Sequence, residues 1–268
     1  MIGSYSDLVG DNLKRATESG IMLEDGDSKF SYYSHDVIVE NYEINHESTA
    51  KSLNIPKGKY TLITLPNVHL QDDKIVHYYA KTLSKQLYNY LPQGTPSVLI
   101  VGLGNRHIMA DSLGSKVVGK IIVGVHGNTK LQAIAPSVLG LTGIESSDIV
   151  SAIANKIHAD CIVVIDSLCA SSPDRLGSSF QITNHAITPG SGVSNSRPQI
   201  THNNVVSIGV PLMVYSNTYV SSALTELGVK NYQLDSTENH IVTPKDIDII
   251  VDVSATIIAS AINMIYAK

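Results

Sequence analysis

The chain has 268 residues, of which 43% are hydrophobic, and a formal net charge of −5. This length and apolar content suffice for one large α/β domain or two small ones. The 19 basic residues are scattered rather than clustered, so we expect no direct contact with nucleic acid. Two cysteines, Cys161 and Cys169, are too few for a disulfide framework, and the N-terminus lacks the features of a secretory signal. We therefore expect a cytoplasmic protein.

Short β-branched runs alternate with helical segments along most of the chain. The predicted strands lie near residues 37–44, 60–65, 97–102, 121–125, 161–165 and 205–209, and the predicted helices cover roughly 72–91, 109–119, 146–158, 218–227 and 244–266. From residue 70 onward the order is mostly strand, helix, strand, helix, which is typical of parallel strands joined by helices. We predict a single α/β domain with a mostly parallel central sheet flanked by helices. Residues 1–60 are predicted to form an N-terminal extension and sheet-edge segment, and residues 61–268 the core.

The last predicted helix contains a long apolar stretch that could be mistaken for a membrane span. Three acidic residues interrupt it: Asp246, Asp248 and Asp252. Its apolar residues recur at three- and four-residue steps, as in one buried helical stripe: Ile247, Ile250, Val251, Ile257, Ile258, Ala261 and Ile265. Thr243 and Pro244 fit the N-cap and first-turn positions, with Asp246 in the first turn. We predict a core-facing helix and no membrane partner.

Two aspartates follow strand-like runs and share the tripeptide Asp-Ser-Leu. Asp111 lies in VLIVGLGNRHIMADSLG, and Asp166 lies in CIVVIDSLCASS. The carboxyl ends of parallel strands converge on one edge of a sheet, so both carboxylates are expected in one cleft. Two like charges a few ångströms apart cannot both ionise easily, and such a pair can divide acid and base work. The alternative for each aspartate is a helix cap or a loop hydrogen bond.

Two glycine-containing segments suggest a nucleotide site, but each lacks a residue that its motif requires. The turn Gly102-Leu103-Gly104-Asn105 follows a predicted strand, but the third glycine of a dinucleotide motif would fall at His107. The expected acidic residue about 20 positions later is also missing. GSKVVGKI, residues 114–121, ends in Ile121 rather than Ser or Thr and leads from a helix into a strand. We interpret Gly104 and Asn105 as residues of a sharp backbone turn.

Metal and serine-nucleophile motifs are also incomplete. His46 begins like a zincin helix, but Ala50 stands where the second histidine ligand belongs. His107 and His185 are the remaining candidate ligands if dispersed histidines converge. Gly190-Ser191-Gly192 lacks the G-x-S-x-G elbow and is predicted to lie in an irregular loop.

Four segments of the chain together resemble one family. They are VGLGN with ADSLG, APSVLGLTGIESSDIV (residues 135–150), VVIDSL with FQITNHAITPGSGVSN, and VTPKDID before the last helix. SDLVGD and IPKGKYTLITLP (residues 55–66) look like its opening segment and first strand. The family is that of the germination proteases, which degrade small acid-soluble proteins in bacterial spores.

The resemblance implies an aspartic-type endopeptidase that uses no metal or cofactor, with Asp111 and Asp166 as its catalytic pair. It implies a fold similar to that of the hydrogenase-maturation proteases, which we place in the phosphorylase/hydrolase-like class. It also implies small acid-soluble spore proteins as substrates, the forespore or spore core as the location, a homo-oligomer, and a zymogen that loses an N-terminal peptide. The loop of residues 187–198, with Gly190, Ser191 and Gly192, is expected to border the cleft and to offer backbone N–H groups to the substrate.

The chain departs from the family's pattern at a few positions. Asn184, His185 and Thr188 replace residues of the usual acidic and Ile-His-Pro pattern, and an arginine expected after the second aspartate is replaced at or near Ser171. Two alternative functions therefore stay open. One is a metal-assisted maturation-type protease on the same fold, and the other is a catalytically silent relative that binds a spore protein.

Overall fold

The computed structural model describes residues 6–34, 36–66, 68, 72–186, 198–229, 232 and 240–267. The strands in these ranges are β1 (Ser28–Ser34), β2 (Val37–Ile44), β3 (Gly58–Thr64), β4 (Ser97–Gly102), β5 (Gly124–His126), β6 (Thr129–Ile134), β7 (Cys161–Ala170), β8 (Ser179–Thr183), β9 (Val205–Tyr215) and β10 (Ile241–Val242). The helices are α1 (Val9–Glu18), α2 (Glu47–Leu53), α3 (Asp73–Tyr88), α4 (Leu113–Val118), α5 (Leu139–Thr142), α6 (Ser146–Ile157), α7 (Ser216–Glu226) and α8 (Ile247–Tyr266).

All ten of these strands belong to one sheet, in the order β1-β2-β3-β8-β9-β7-β4-β6-β5, with β10 paired to β9. The four central strands β6, β4, β7 and β9 are parallel to their neighbours in this group. The other pairings are antiparallel. The predicted parallel centre is therefore confirmed, but the sheet as a whole is mixed rather than mostly parallel. The sequence patterns did not predict β1, β6, β8 and β10, and of these β1, β8 and β10 make only antiparallel pairings.

Helix α8 is the core helix that its apolar stripe predicted. It packs against α3 and α4, and five stripe residues are buried: Ile250, Val251, Ile257, Ile258 and Ala261. By length and composition it could cross a membrane, but 56% of its most apolar window is buried inside the protein. The predicted start at Thr243 and Pro244 is wrong, because the helix begins at Ile247 with Asp246 as its N-cap. The chain is still extended at Val242, which pairs with β9, so the helix starts only after a turn.

The central strand β7 separates two buried layers. Alternate side chains of a strand point to opposite faces. Cys161, Val163 and Ile165 join the apolar cluster under α8, whereas Ile162 and Val164 join a cluster on the other face with α6. Farther along that second face, Leu168 and Ala170 join residues of α1 and α2. Asp166 follows Val164 and precedes Leu168 in this alternation, so it lies between two apolar clusters on the second face.

Candidate active site

Asp166 lies inside β7 rather than beyond its end. The predicted strand at 161–165 is too short, because β7 continues to Ala170. It pairs with β9 from Ile162 onward, with Asp166 opposite Gly209 and a shift in register only after Leu168. Asp166 and Ser167 interrupt the apolar run of the strand, but the backbone pairing with β9 continues past them. The Asp166 side chain is only 5% exposed, and its Oδ1 accepts a 2.8 Å hydrogen bond from the Ser167 N–H. The carboxyl is therefore fixed within the most central part of the sheet.

Asp111 lies on a short turn between β4 and α4. The predicted helix at 109–119 is in fact a 3-10 turn, Met109–Asp111, followed by α4. Asp111 is half-buried, and its Oδ2 accepts a 2.8 Å hydrogen bond from the Asn105 N–H. Its own N–H donates to the Ile108 carbonyl at 2.9 Å. This turn closes the loop between Asn105 and Asp111 and points the carboxyl back toward the end of β4.

Gly104 makes that turn possible. Its φ of +95° is in the left-handed region that favours glycine. A Cβ at this position would lie 2.0 Å from the Asp111 carbonyl oxygen and 2.8 Å from Oδ1 of the same residue. The adjacent Leu103 N–H donates to the Ile165 carbonyl at 2.8 Å, directly before Asp166 on β7. Gly104 and Asn105 thus serve the turn, as predicted, and the turn brings the segments of both aspartates together.

The two carboxyls interact electrostatically. Burial raises the pKa of Asp166 well above its ordinary value, and the negative charges of Asp111 and Asp7 raise it further, while the Ser167 N–H opposes the shift. Burial also raises the pKa of Asp111, opposed by the Asn105 N–H. One member of such a pair keeps its proton more readily than the other. The arrangement can therefore supply one carboxylic acid and one carboxylate that influence each other.

A sequence model of the family described as germination protease matches residues 11–238. The chain belongs to the germination protease family. Three relatives, each called a germination protease, illustrate the similarity. Those of Clostridium perfringens and Clostridium acetobutylicum are 33% and 32% identical, over 85% of this chain and 84% of their own length. That of Priestia megaterium is 31% identical over 70% of this chain and 56% of its own length. Family membership implies a peptidase.

The N-terminal segment of this germination protease family member also contributes to the site, through hydrogen bonds that the sequence did not reveal. The Asp7 N–H donates to the Cys169 carbonyl at 2.9 Å, and the Cys169 N–H donates to Asp7 Oδ2 at 2.8 Å. The Gln181 amide donates to the Asp7 carbonyl at 3.0 Å and accepts from the Val9 N–H at 2.8 Å. These contacts join residues more than 160 positions apart, and no local pattern predicts them.

Ser171, at or near which the resemblance led us to expect an arginine, takes part in an anchor for α1. Its N–H and hydroxyl both donate to Asp11 Oδ2, at 3.0 Å and 2.8 Å. Arg175 Nε lies 3.4 Å from Asp11 Oδ1, so a guanidinium still reaches this buried carboxylate from four residues further on. The Ser6 hydroxyl donates to the same carboxylate at 2.9 Å. The substitution at Ser171 therefore leaves Asp11 well supplied with donors.

The other departures lie at the end of β8. Asn184 Oδ1 accepts a 2.8 Å hydrogen bond from the Lys59 N–H, at the start of β3. The His185 ring stacks edge-on against Tyr60 with centroids 4.9 Å apart, and burial lowers its pKa. Both side chains thus join β8 to β3. Thr188, Gly190, Ser191 and Gly192 lie outside the residues that the structure describes.

The candidate histidine ligands do not assemble around a common point. Within the described ranges, no group of three or more His, Cys, Asp or Glu side chains is placed to hold a metal ion. His46 Nδ1 instead lies 3.2 Å from Asp27 Oδ1, and His107 is exposed. Cys161 and Cys169 are buried and unpaired.

Proposed function

We propose that the chain is an aspartic-type endopeptidase in which Asp111 and Asp166 form the catalytic pair. The observation that carries this proposal is a fully buried carboxyl, Asp166, whose pKa is raised by burial and by the charge of Asp111. A structural aspartate is normally stabilised as an anion by donors, whereas among the residues that the structure describes this one has a single backbone donor and two negative neighbours. Perturbed groups of this kind concentrate at sites of acid and base chemistry.

The different surroundings of the two aspartates suggest their roles. Asp166 is the more deeply buried and holds the shared proton, while half-buried Asp111 is the carboxylate. Asp111 removes a proton from water, and the water oxygen bonds to the carbonyl carbon of the scissile peptide. Asp166 donates its proton to the carbonyl oxygen. When the C–N bond breaks, Asp111 gives the leaving nitrogen the proton that it took from water, and one hydroxyl of the intermediate returns its proton to Asp166 as the C=O bond forms again. The pair titrates as a unit.

The family name supports a substrate and a setting. We propose that the enzyme hydrolyses small acid-soluble spore proteins in the cytoplasm of the spore during germination. A homo-oligomer and a zymogen form with a removable N-terminal peptide are part of the same proposal. So is a fold similar to that of the hydrogenase-maturation proteases, in the phosphorylase/hydrolase-like class. The parallel centre of the sheet and the aspartate at its carboxyl side are compatible with that similarity.

Cleavage of a purified small acid-soluble spore protein tests this function. Wild type should cut it, and Asp111→Asn and Asp166→Asn should each lower kcat/KM by about 10²–10⁴-fold, because each removes an acid-base group. Asp174→Asn makes the same change at an exposed site beyond β7 and should keep wild-type activity. Full activity of either catalytic variant would refute the pair.

A chelator and a binding assay separate the two alternatives. EDTA should leave cleavage by the wild type unchanged. Loss of cleavage in the presence of EDTA would favour the metal-assisted maturation-type protease. If the wild type instead binds the spore protein without cutting it, while circular dichroism shows that the wild type is folded, that result favours the silent relative.

A further inference from the structure

The turn that carries Asp111 exposes two large apolar side chains. Ile108 and Met109 are 55% and 41% exposed, and they immediately precede Ala110 and Asp111 in the chain. Single exposed apolar residues are common on protein surfaces and need no explanation. Here two of them stand together on the loop of a proposed catalytic carboxyl. An apolar surface is thus present beside the group that is proposed to activate water.

Hydrogen bonds hold the backbone of this apolar pair in place. The Ile108 N–H donates to the Asn105 carbonyl at 3.0 Å, and the Ile108 carbonyl accepts from the Asp111 N–H at 2.9 Å. The Ser112 N–H and hydroxyl donate to the Met109 carbonyl at 3.1 Å and 2.8 Å, and the hydroxyl lies 3.8 Å from Met109 Sδ. The two side chains therefore have a defined arrangement, although the described part of the chain leaves them exposed. A preorganised surface binds a ligand at a lower entropic cost than a loose one.

The neighbouring connection exposes a second apolar pair at the same edge of the sheet. Strand β6 is parallel to β4 and next to it, so the connections that follow the two strands leave the sheet at one edge. The connection from β6 to α6 contains Leu141 and Ile144, which are 53% and 52% exposed. In the order β7-β4-β6, Asp166 lies on the first strand and Asp111 follows the second. A peptide whose scissile bond is at the aspartates and which runs along this edge toward β6 therefore passes both apolar pairs.

The chemistry of this surface favours an apolar side chain of the substrate as its occupant. Residues 139–144, LGLTGI, contain no charged side chain. Contact with Ile108 and Met109 removes apolar area from water, which stabilises an aliphatic or aromatic group more than a polar one. A second copy of the chain seated on the same two side chains would cover the approach to Asp111, and the proposed reaction requires that approach. The substrate is therefore the better match.

We propose that Ile108 and Met109 are specificity-determining residues, which form an apolar subsite for an aliphatic or aromatic side chain of the substrate close to the scissile bond. The three steps of the 3-10 turn from Ile108 to Asp111 rise about 6 Å. An extended peptide covers that distance in about two residues, so the recognised side chain lies within about three residues of the bond. Leu141 and Ile144 continue the apolar surface along the same edge. This proposal deepens the proposed function and rests on it.

The selectivity of cleavage tests the subsite. The bond cut in a purified small acid-soluble spore protein is located by mass spectrometry, and each aliphatic or aromatic residue within about three positions of it is replaced by serine. For the wild type, kcat/KM for the parent substrate should exceed that for at least one serine substrate by about tenfold or more, as is usual when an apolar group leaves an apolar pocket. Ile108→Ser and Met109→Ser should reduce this ratio to about threefold or less, by slowing cleavage of the parent substrate.

The ratio separates a subsite from a structural effect on the turn. If a variant only displaces Asp111, kcat falls equally for both substrates and the ratio stays at the wild-type value. Ile108→Leu keeps an apolar side chain and should keep the ratio. Phe30→Ser is the matched control, because Phe30 is 63% exposed on β1, at one end of the sheet and six strands from β4. It should change neither the ratio nor kcat/KM.

Two outcomes with Asp166→Asn inactive overturn the inference alone. One is a wild-type ratio near one, or a cut bond with no aliphatic or aromatic residue near it. The other is an unchanged ratio in both serine variants, shown to be folded by circular dichroism; Ile108→Thr replaces Ile108→Ser if that variant fails to fold. An unchanged ratio together with altered sedimentation would assign these side chains to contact with a second copy. A fully active Asp166→Asn refutes the proposed function instead.

Discussion

Replacement of Gly104 by alanine probes the turn that places Asp111. The residue has a φ of +95°, and an L side chain in the left-handed region costs about 1–2 kcal/mol. The new Cβ would also lie 2.0 Å from the Asp111 carbonyl oxygen, which is a backbone atom and cannot rotate away. Relief of such a contact by a backbone shift costs about 1–3 kcal/mol. The free energy of unfolding should therefore fall by roughly 2–5 kcal/mol.

Gly94→Ala is the matched control. Gly94 also has a positive φ, +67°, but a Cβ there would meet no atom within 4 Å. It should lose only the conformational part, about 1–2 kcal/mol. Urea unfolding followed by far-UV circular dichroism gives both values. Cleavage of a small acid-soluble spore protein by the folded fraction should fall for Gly104→Ala and not for Gly94→Ala, because only the first moves Asp111. Equal stability of the two variants, together with full activity of Gly104→Ala, would refute the reasoning.

Two further predictions concern stability. The pKa of Asp166 is raised in the folded chain, so the unfolded chain releases this proton more readily, and the wild type loses stability as pH rises above the ordinary value of 3.8 toward the folded pKa. Asp166→Asn escapes this loss, and its stability relative to wild type should increase between pH 4 and pH 7 in urea titrations; a constant difference would contradict the raised pKa. Ile258→Ala, in the fully buried stripe of α8, should cost about 2–5 kcal/mol. Leu227→Ala at a 79% exposed position should change stability by under about 0.5 kcal/mol, and similar losses for both would place Ile258 outside the core.

Regular periodicity made part of the fold predictable. The stripe of α8 repeats at helical spacing over almost 20 residues, and the apolar run of β4 is short and bounded by turns, so both elements were predicted close to their observed limits. The strand β8 was missed although Ser179–Thr183 alternates polar and apolar residues, because it is only five residues long and its polar side chains are buried like its apolar ones. Its burial comes from β3 and β9 on either side, which no local window contains.

The candidate site, like the fold, was predictable from the sequence only in part. Shared Asp-Ser-Leu tripeptides indicated two aspartates that meet at one edge, and the structure brings their segments together through Leu103 and Ile165. The patterns could not show that Asp166 lies inside a strand, because pairing with β9 maintains the ladder after the apolar residues end. Nor could they indicate Asp7, whose partner Cys169 is 162 positions away in the chain.

The position of Asp166 within β7 gives the two carboxyls unequal mechanical freedom. Asp166 is carried by a ten-residue strand that is buried along its entire length, the least deformable kind of element in a protein. Asp111 is carried by a three-residue turn with exposed neighbours at Ile108 and Met109. Any adjustment of the distance between the carboxyls as a peptide enters must therefore come from the turn. The strand acts as the fixed reference, and the loop between β4 and α4 sets how closely the second acid approaches it.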